Sequence, residues 1–294
     1  MSNILNSIEK GASHIEDLKS KVIKAKKIQL HSGLEGFESP EAFGIYRNNG
    51  GAPLGVVGKV YEPTDLSLFL DAIHHSVLSS GIDCDLTKLE YKELCGGSKV
   101  VFKLPYREFE LKTPKKGDIV RLALEFRTGF DGKTKVSLGF SSLRLWCTNG
   151  AKNWQSDLAL EMKNTANNQL KLLSFSDTII RAAAETENYI QLLNESAKVS
   201  VSKEQINQFI TDLTGYNVAE YNDLTTRKRN ILDKVNASIA VEMNNTGGNL
   251  FSLLQGVTRY TTHELSKGDE DTLFFGSASQ MSDKAHRMIF AELN

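Results

Sequence analysis

The sequence predicts an α+β fold: a curved antiparallel sheet meander, helices packed on one face of it, and a helical C-terminal half. Three observations lead there. Between Gly96 and Gly150, apolar residues recur at period two in three consecutive runs. Leu66 to Ser80 instead spaces its apolar residues three and four apart. Beyond Gly150 the helical period takes over.

Residues 1–30 read as a helical or partly mobile arm, basic near its end through Lys19, Lys21, Lys24, Lys26 and Lys27. Such a charge run is usually a solvated face, with a phosphate- or subunit-contacting arm as the alternative. His31 to Asn49 is rich in Gly, Ser and Asn and reads as a connecting loop. Gly50 to Gly55 leads into a short strand within Val56–Pro63. No GxxxxGK[ST] or GxGxxG pattern is present, so these glycines read as turn and close-packing residues.

Thr64 or Asp65 can cap the helix Leu66–Ser80. Leu66, Phe69, Leu70, Ile73 and Val77 form its apolar face, and Gly81 ends it. His74 and His75 are adjacent on this helix and point apart, which argues against a two-histidine metal site. Leu86 to Leu94 alternates as a further strand.

The meander follows. In Val100–Leu111, Phe102, Leu104 and Tyr106 share one face, and Lys103 and Arg107 the other. A phase flip near Glu108 predicts a bulge, and Pro105 predicts an edge position. In Ile119–Thr128, Val120, Leu122, Leu124 and Phe126 face inward. Arg121, Ala123, Glu125 and Arg127 then face outward. Asp131-Gly132 marks a hairpin. The third run, Thr134–Trp146, has Val136, Leu138 and Phe140 inward and Lys135 outward.

Helices are expected over 154–198 and 203–214, the second opened by a Ser202–Gln205 capping box. Others are expected over Thr225–Val241, Leu250–Thr262 and Ser282–Leu293, with a loop at Asn244–Asn249. The domain reading is an arm and linker at 1–49, a strand–helix–meander core at 50–150, and a helical region at 151–294 that packs on the core.

The chain has 294 residues, 40% hydrophobic and 24% charged, ordinary for a globular protein. Net charge is −1, so any basic surface must be local. Cys84, Cys95 and Cys147 fit no zinc spacing, and an odd count argues against a disulfide framework. They read as reduced thiols in the cytoplasm. No apolar run approaches the roughly 20 residues of a membrane span, and the first 21 residues lack a signal-peptide core. No metal, cofactor or membrane partner is expected.

The outward meander face gathers Lys103, Arg107, Arg121, Arg127, Lys133 and Lys135, with few acids beyond Glu125, and Arg144 lies near its rim. A solvated sheet face and a strip that tracks a nucleic-acid backbone both fit this pattern. An enzyme built on Cys147, Asn149 and His263 is a further alternative. Against it, Cys147 reads as a small core residue and His263 as a helix C-terminal residue.

Several phrases carry a family resemblance. The first is Leu54-Gly55-Val56-Val57-Gly58-Lys59-Val60-Tyr61-Glu62-Pro63. The second is Arg144-Leu145-Trp146-Cys147-Thr148-Asn149, and the third Met162-Lys163-Asn164-Thr165. The fourth runs from Asn249-Leu250-Phe251 through Gly256-Val257-Thr258-Arg259-Tyr260 to His263. With these the chain resembles a family of phage/plasmid-like proteins, a domain of unknown function. It departs from the family's Arg-His-Thr by having Lys-Asn-Thr at 163–165. The resemblance implies a phage or mobile-element origin and no assigned activity.

The helix–meander–helix layout also resembles ring-forming single-strand annealing proteins. That likeness implies a homo-oligomer, a ring among the options, that binds single-stranded DNA in recombination, with RNA left open. Its phosphate contacts would be the seven basic residues above, and Tyr106 or Trp154 would offer stacking surfaces. The alternative is a structural or partner-binding phage protein without catalytic activity.

Overall fold

The computed structural model describes residues 2–31, 38–112, 119–144, 149–151, 160–165 and 175–293. The fold is mixed helix and antiparallel sheet with a helical C-terminal half, as expected from the sequence. The chain divides into two compact units. The first takes Met1–Arg107, Ala123–Phe140 and Gln155–Ala183, and the second takes Glu108–Leu122, Ser141–Trp154 and Ala184–Asn294.

The first unit opens with helix α1 (Ser2–Lys21) and a three-stranded antiparallel sheet, β1 (Ala25–His31), β2 (Glu38–Arg47) and β3 (Gly55–Val57), in the order β1-β2-β3. Here the sequence expectation is corrected. Residues 38–47 are a strand, not a connecting loop, paired to β1 from Ala25↔Arg47 onward. Phe43 and Ile45 alternate with Gly44 and Tyr46, and this period-two signal outweighs the loop-like composition.

Helix α2 (Leu66–Ser80) starts where Asp65 Oδ1 accepts from the Ser67 and Leu68 amides. Its expected apolar face is buried in full. Strand β4 is shorter than expected, Glu90–Leu94, because Leu86–Lys88 forms a 3₁₀ turn capped by Asp85. The meander is β5 (Lys99–Glu110), β6 (Ile119–Gly129) and β7 (Val136–Arg144). Each of the three contributes residues to both units. Two short strands, β8 (Asn149–Ala151) and β9 (Leu160–Met162), pair with opposite ends of β7. Residues 160–162 are therefore strand rather than the expected helix. Pro105 lies two residues past the β4 register, which ends at Glu90↔Lys103, so on that side its missing N–H removes no ladder bond.

Phe69 of α2 anchors the core of this unit. Its ring lies 5.6 Å from Phe102 of β5 and 5.6 Å from Phe175, and Phe175 lies 5.8 Å from Phe126 of β6. All four rings are fully buried, each worth about 1.5–3 kcal/mol of transfer free energy. Gly55 packs against the β6–β7 hairpin: a Cβ there would run into the Phe130 carbonyl and Asp131.

In the second unit, most of helix α3 (Phe175–Ser196) is followed by α4 (Lys203–Thr214), α5 (Thr226–Thr246) and α6 (Leu250–Arg259). A π-helical turn at Tyr260–Leu265, then α7 (Glu270–Phe275) and α8 (Ser277–Ala291), complete it. The Ser202–Gln205 capping box is present as expected. Helix α6 is buried on all sides up to Thr258, and Gly256 lets it touch the backbone of Ile239 in α5.

Candidate nucleic-acid interface

The basic residues expected on the meander face separate into different environments. Arg127 is buried, 7% exposed, and its Nη2 donates to Oε2 of fully buried Glu125 at 2.6 Å. The face of β6 expected to be solvated is covered: Ala123 and Glu125 are buried beside it. In the same unit, Lys135 is exposed and pairs with Glu161 of β9 at 2.5 Å. Lys133 is exposed on the hairpin turn, Arg107 is exposed and Lys103 is half-buried. In the second unit, Arg121 is partly exposed and pairs with Glu108 at 2.5 Å. The backbone of Arg144 pairs with Asn149 across β7 and β8. Cys147 and Trp154 lie outside the described residues. His263 is exposed on the π-helical turn.

A second basic surface emerges in the first unit, on elements the sequence only partly reveals. The end of α1 and the open end of the β1/β2 hairpin border a groove of about 320 Å³, lined by Lys21, Ile23, Lys24, Arg47 and Asn48. Arg47 is held by Glu93 at 2.6 Å, and this hydrogen bond raises the guanidinium pKa further. Lys21 is paired with Asp17 at 2.6 Å. Among the described residues, neither Lys24 nor the neighbouring Lys26 has an ion-pair partner, and both are exposed. The groove is thus left with uncompensated positive charge at the start of β1.

Lys26 stands opposite Tyr46 in the register, and Ile28 stands opposite Gly44, which is opposite Val56 in turn. These residues form one face of the three-stranded sheet, since successive side chains alternate sides. The opposite face is the inner one. There Ile45 and Val57 join the core, and Lys27 Nζ lies 4.6 Å over the Phe43 ring while donating to the Lys59 and Tyr61 carbonyls.

A buried polar network lies in the same unit. Asn164 donates to the Gly129 carbonyl at 3.1 Å and the Thr134 carbonyl at 2.9 Å, and accepts from the Thr64 hydroxyl at 3.0 Å. Tyr61 donates to the Gly129 carbonyl, and burial pushes its hydroxyl pKa up. Burial likewise pushes the Cys84 thiol up to about 12, which keeps it protonated and unreactive. In the second unit, Gln255 Oε1, Thr262 Oγ1 and His286 Nε2 are buried and have no hydrogen-bond partner among the described residues. Among the described residues no group of His, Cys, Asp or Glu could hold a metal ion. No described helix is long and apolar enough to cross a membrane.

The model of a family described as a domain of unknown function (DUF932) matches residues 53–287. No curated protein and no solved structure matches the chain.

Proposed function

This chain belongs to the DUF932 family, and we propose that it binds single-stranded nucleic acid, without catalysing a covalent step. The observation that supports this most directly is the groove at the start of β1: Lys24 lines it, Lys26 neighbours it, and both are exposed with no ion-pair partner among the described residues, although the chain as a whole carries a net charge of −1. Local positive charge on a neutral molecule is what phosphate attraction requires. Lys103, Arg107, Lys133 and Lys135 supply further cations on the same unit. The Lys135–Glu161 ion pair is exposed, so phosphate can replace its carboxylate at a cost below about 1 kcal/mol. In this proposal the protein works as an oligomer in the recombination of a phage or plasmid, inside the host cell, and anneals complementary strands.

The test is fluorescence anisotropy with labelled single-stranded DNA, double-stranded DNA and RNA across a salt series, beside sedimentation of the protein. Single strands should bind, and affinity should fall with salt. Lys24→Gln and Lys26→Gln should each reduce the slope of log affinity against log salt by about 0.7. No binding of any single strand at low salt would leave a structural or partner-binding protein as the better account. Exposed Val56 and Val60 would then be the place to look for its partner.

A further inference from the structure

The solvent face of the β1–β2–β3 sheet carries an aromatic ring in an unusual seat. Tyr46 leans back along β2 so that its Cε2, Cζ and hydroxyl lie directly over Gly44, in the space that a Cβ at residue 44 would occupy. Gly44 is flanked across the ladder by Ile28 on β1 and Val56 on β3. Both are exposed for large apolar residues, Ile28 at 40% and Val56 at 59%. Half-buried Tyr46 therefore lies along the sheet between two aliphatic side chains. The inner face already uses Phe43, Ile45 and Val57, so this second apolar face is surplus to the fold. Within the regular register the strand positions that share it are Lys26, Ile28, Gly44, Tyr46 and Val56, and Lys26 is the one charged residue of these five. Lys26 stands opposite Tyr46 in the register, and the Lys24 groove continues from the same end of the hairpin.

We infer that this face is a base-stacking platform for single-stranded nucleic acid, with the Tyr46 ring taking an unpaired base and Lys26 and Lys24 taking the flanking phosphates. The inference rests on the proposed function and deepens it. An aromatic ring can accept a base only where that base is free of a duplex, so the platform accounts for preference for single strands. The apolar flanks exclude water from the stacked base, and the lysines supply the charge that an ordinary protein-binding apolar patch does not need.

The test measures binding of a single-stranded oligonucleotide and of the same strand with abasic sites. Wild type should prefer the intact strand. Tyr46→Ala should weaken binding to the intact strand about 5- to 140-fold, the effect of one stacked base, and should abolish the preference over the abasic strand. Tyr46→Phe should retain both. Gly44→Ala offers a second route: it keeps the ring but forces it off its seat, and should act like Tyr46→Ala. Circular dichroism of each variant checks that the sheet persists. If wild type binds single strands and Tyr46→Ala binds them equally, the platform is wrong while the proposed function stands. If Tyr46→Ala changes only the sedimenting mass, the face is a contact between copies and the inference is overturned. If wild type binds no single strand, the proposed function itself fails.

Discussion

Asn164 donates to the Tyr61 hydroxyl at 3.3 Å, and the two side chains converge on the Gly129 carbonyl. The backbone closes the same knot, with the Glu62 amide donating to the Asn164 carbonyl at 3.1 Å. Residues 103 positions apart are thus joined at the base of the β6–β7 hairpin. Asn164 is 6% exposed, and Thr64 and Thr128 beside it are buried. Replacing it by Ala removes the donor for the Thr134 carbonyl and the acceptor for Thr64. The expected loss is roughly 2–4 kcal/mol, about one per bond plus the cost of stranded polar groups. Chemical denaturation of Asn164→Ala measures it, and a loss under about 0.5 kcal/mol would show that the network is incidental.

How much of this was legible in the sequence varies with the strength of the local signal. Helix α2 reads cleanly because Asp65, the apolar spacing and Gly81 all agree. The three meander strands read cleanly because their alternation is long. Strand β2 was hidden because its outward positions include Gly44, which reads as loop composition, yet that glycine is what seats the Tyr46 ring. Arg127 departs from its expected outward, solvated position for a different reason. Alternation assigns a residue to one of two faces but does not say whether the second face is solvated, and β6 is buried on both. Helix α6 shows the same limit: its spacing predicts one apolar face, whereas Ser252, Gln255 and Thr258 are buried too.

His286 supplies a pH prediction for the second unit. Its ring lies 6.5 Å from Tyr189 and 5.7 Å from Phe290, and Nδ1 bonds the Ser282 carbonyl at 2.9 Å. Burial pushes its pKa down from 6.5 to about 4. The unfolded chain therefore binds a proton between these values that the folded chain refuses. Stability is full above pH 6.5 and falls as pH drops toward 4, by an amount on the order of 3 kcal/mol. His286→Phe keeps an aromatic ring and cannot titrate. Its denaturation midpoint should change less than wild type over this window, and equal pH slopes would remove His286 as the cause.

The two arginines of β6 differ in burial and in what their loss should do. Arg121 donates through Nε and Nη2 to Glu108 Oε1 at 2.6 and 2.5 Å, with its side chain 41% exposed. An ion pair this open contributes about 0–1 kcal/mol, so Arg121→Gln should fold like wild type. If Arg121 contacts phosphate, its loss shrinks the salt slope of single-strand binding by about 0.7. Arg127 cannot be tested the same way. Glu125 beside it is fully buried, and Arg127→Gln leaves that carboxylate without its guanidinium partner. Breaking a buried pair from one side costs roughly 3–5 kcal/mol, so the variant should lose thermal stability in the absence of any nucleic acid. A double change at both positions would confound binding with unfolding, and the single variants are needed. Should Arg127→Gln prove as stable as wild type while binding single strands with a smaller salt slope, Arg127 would be a surface phosphate contact after all. The covered face of β6 would then have to open in solution.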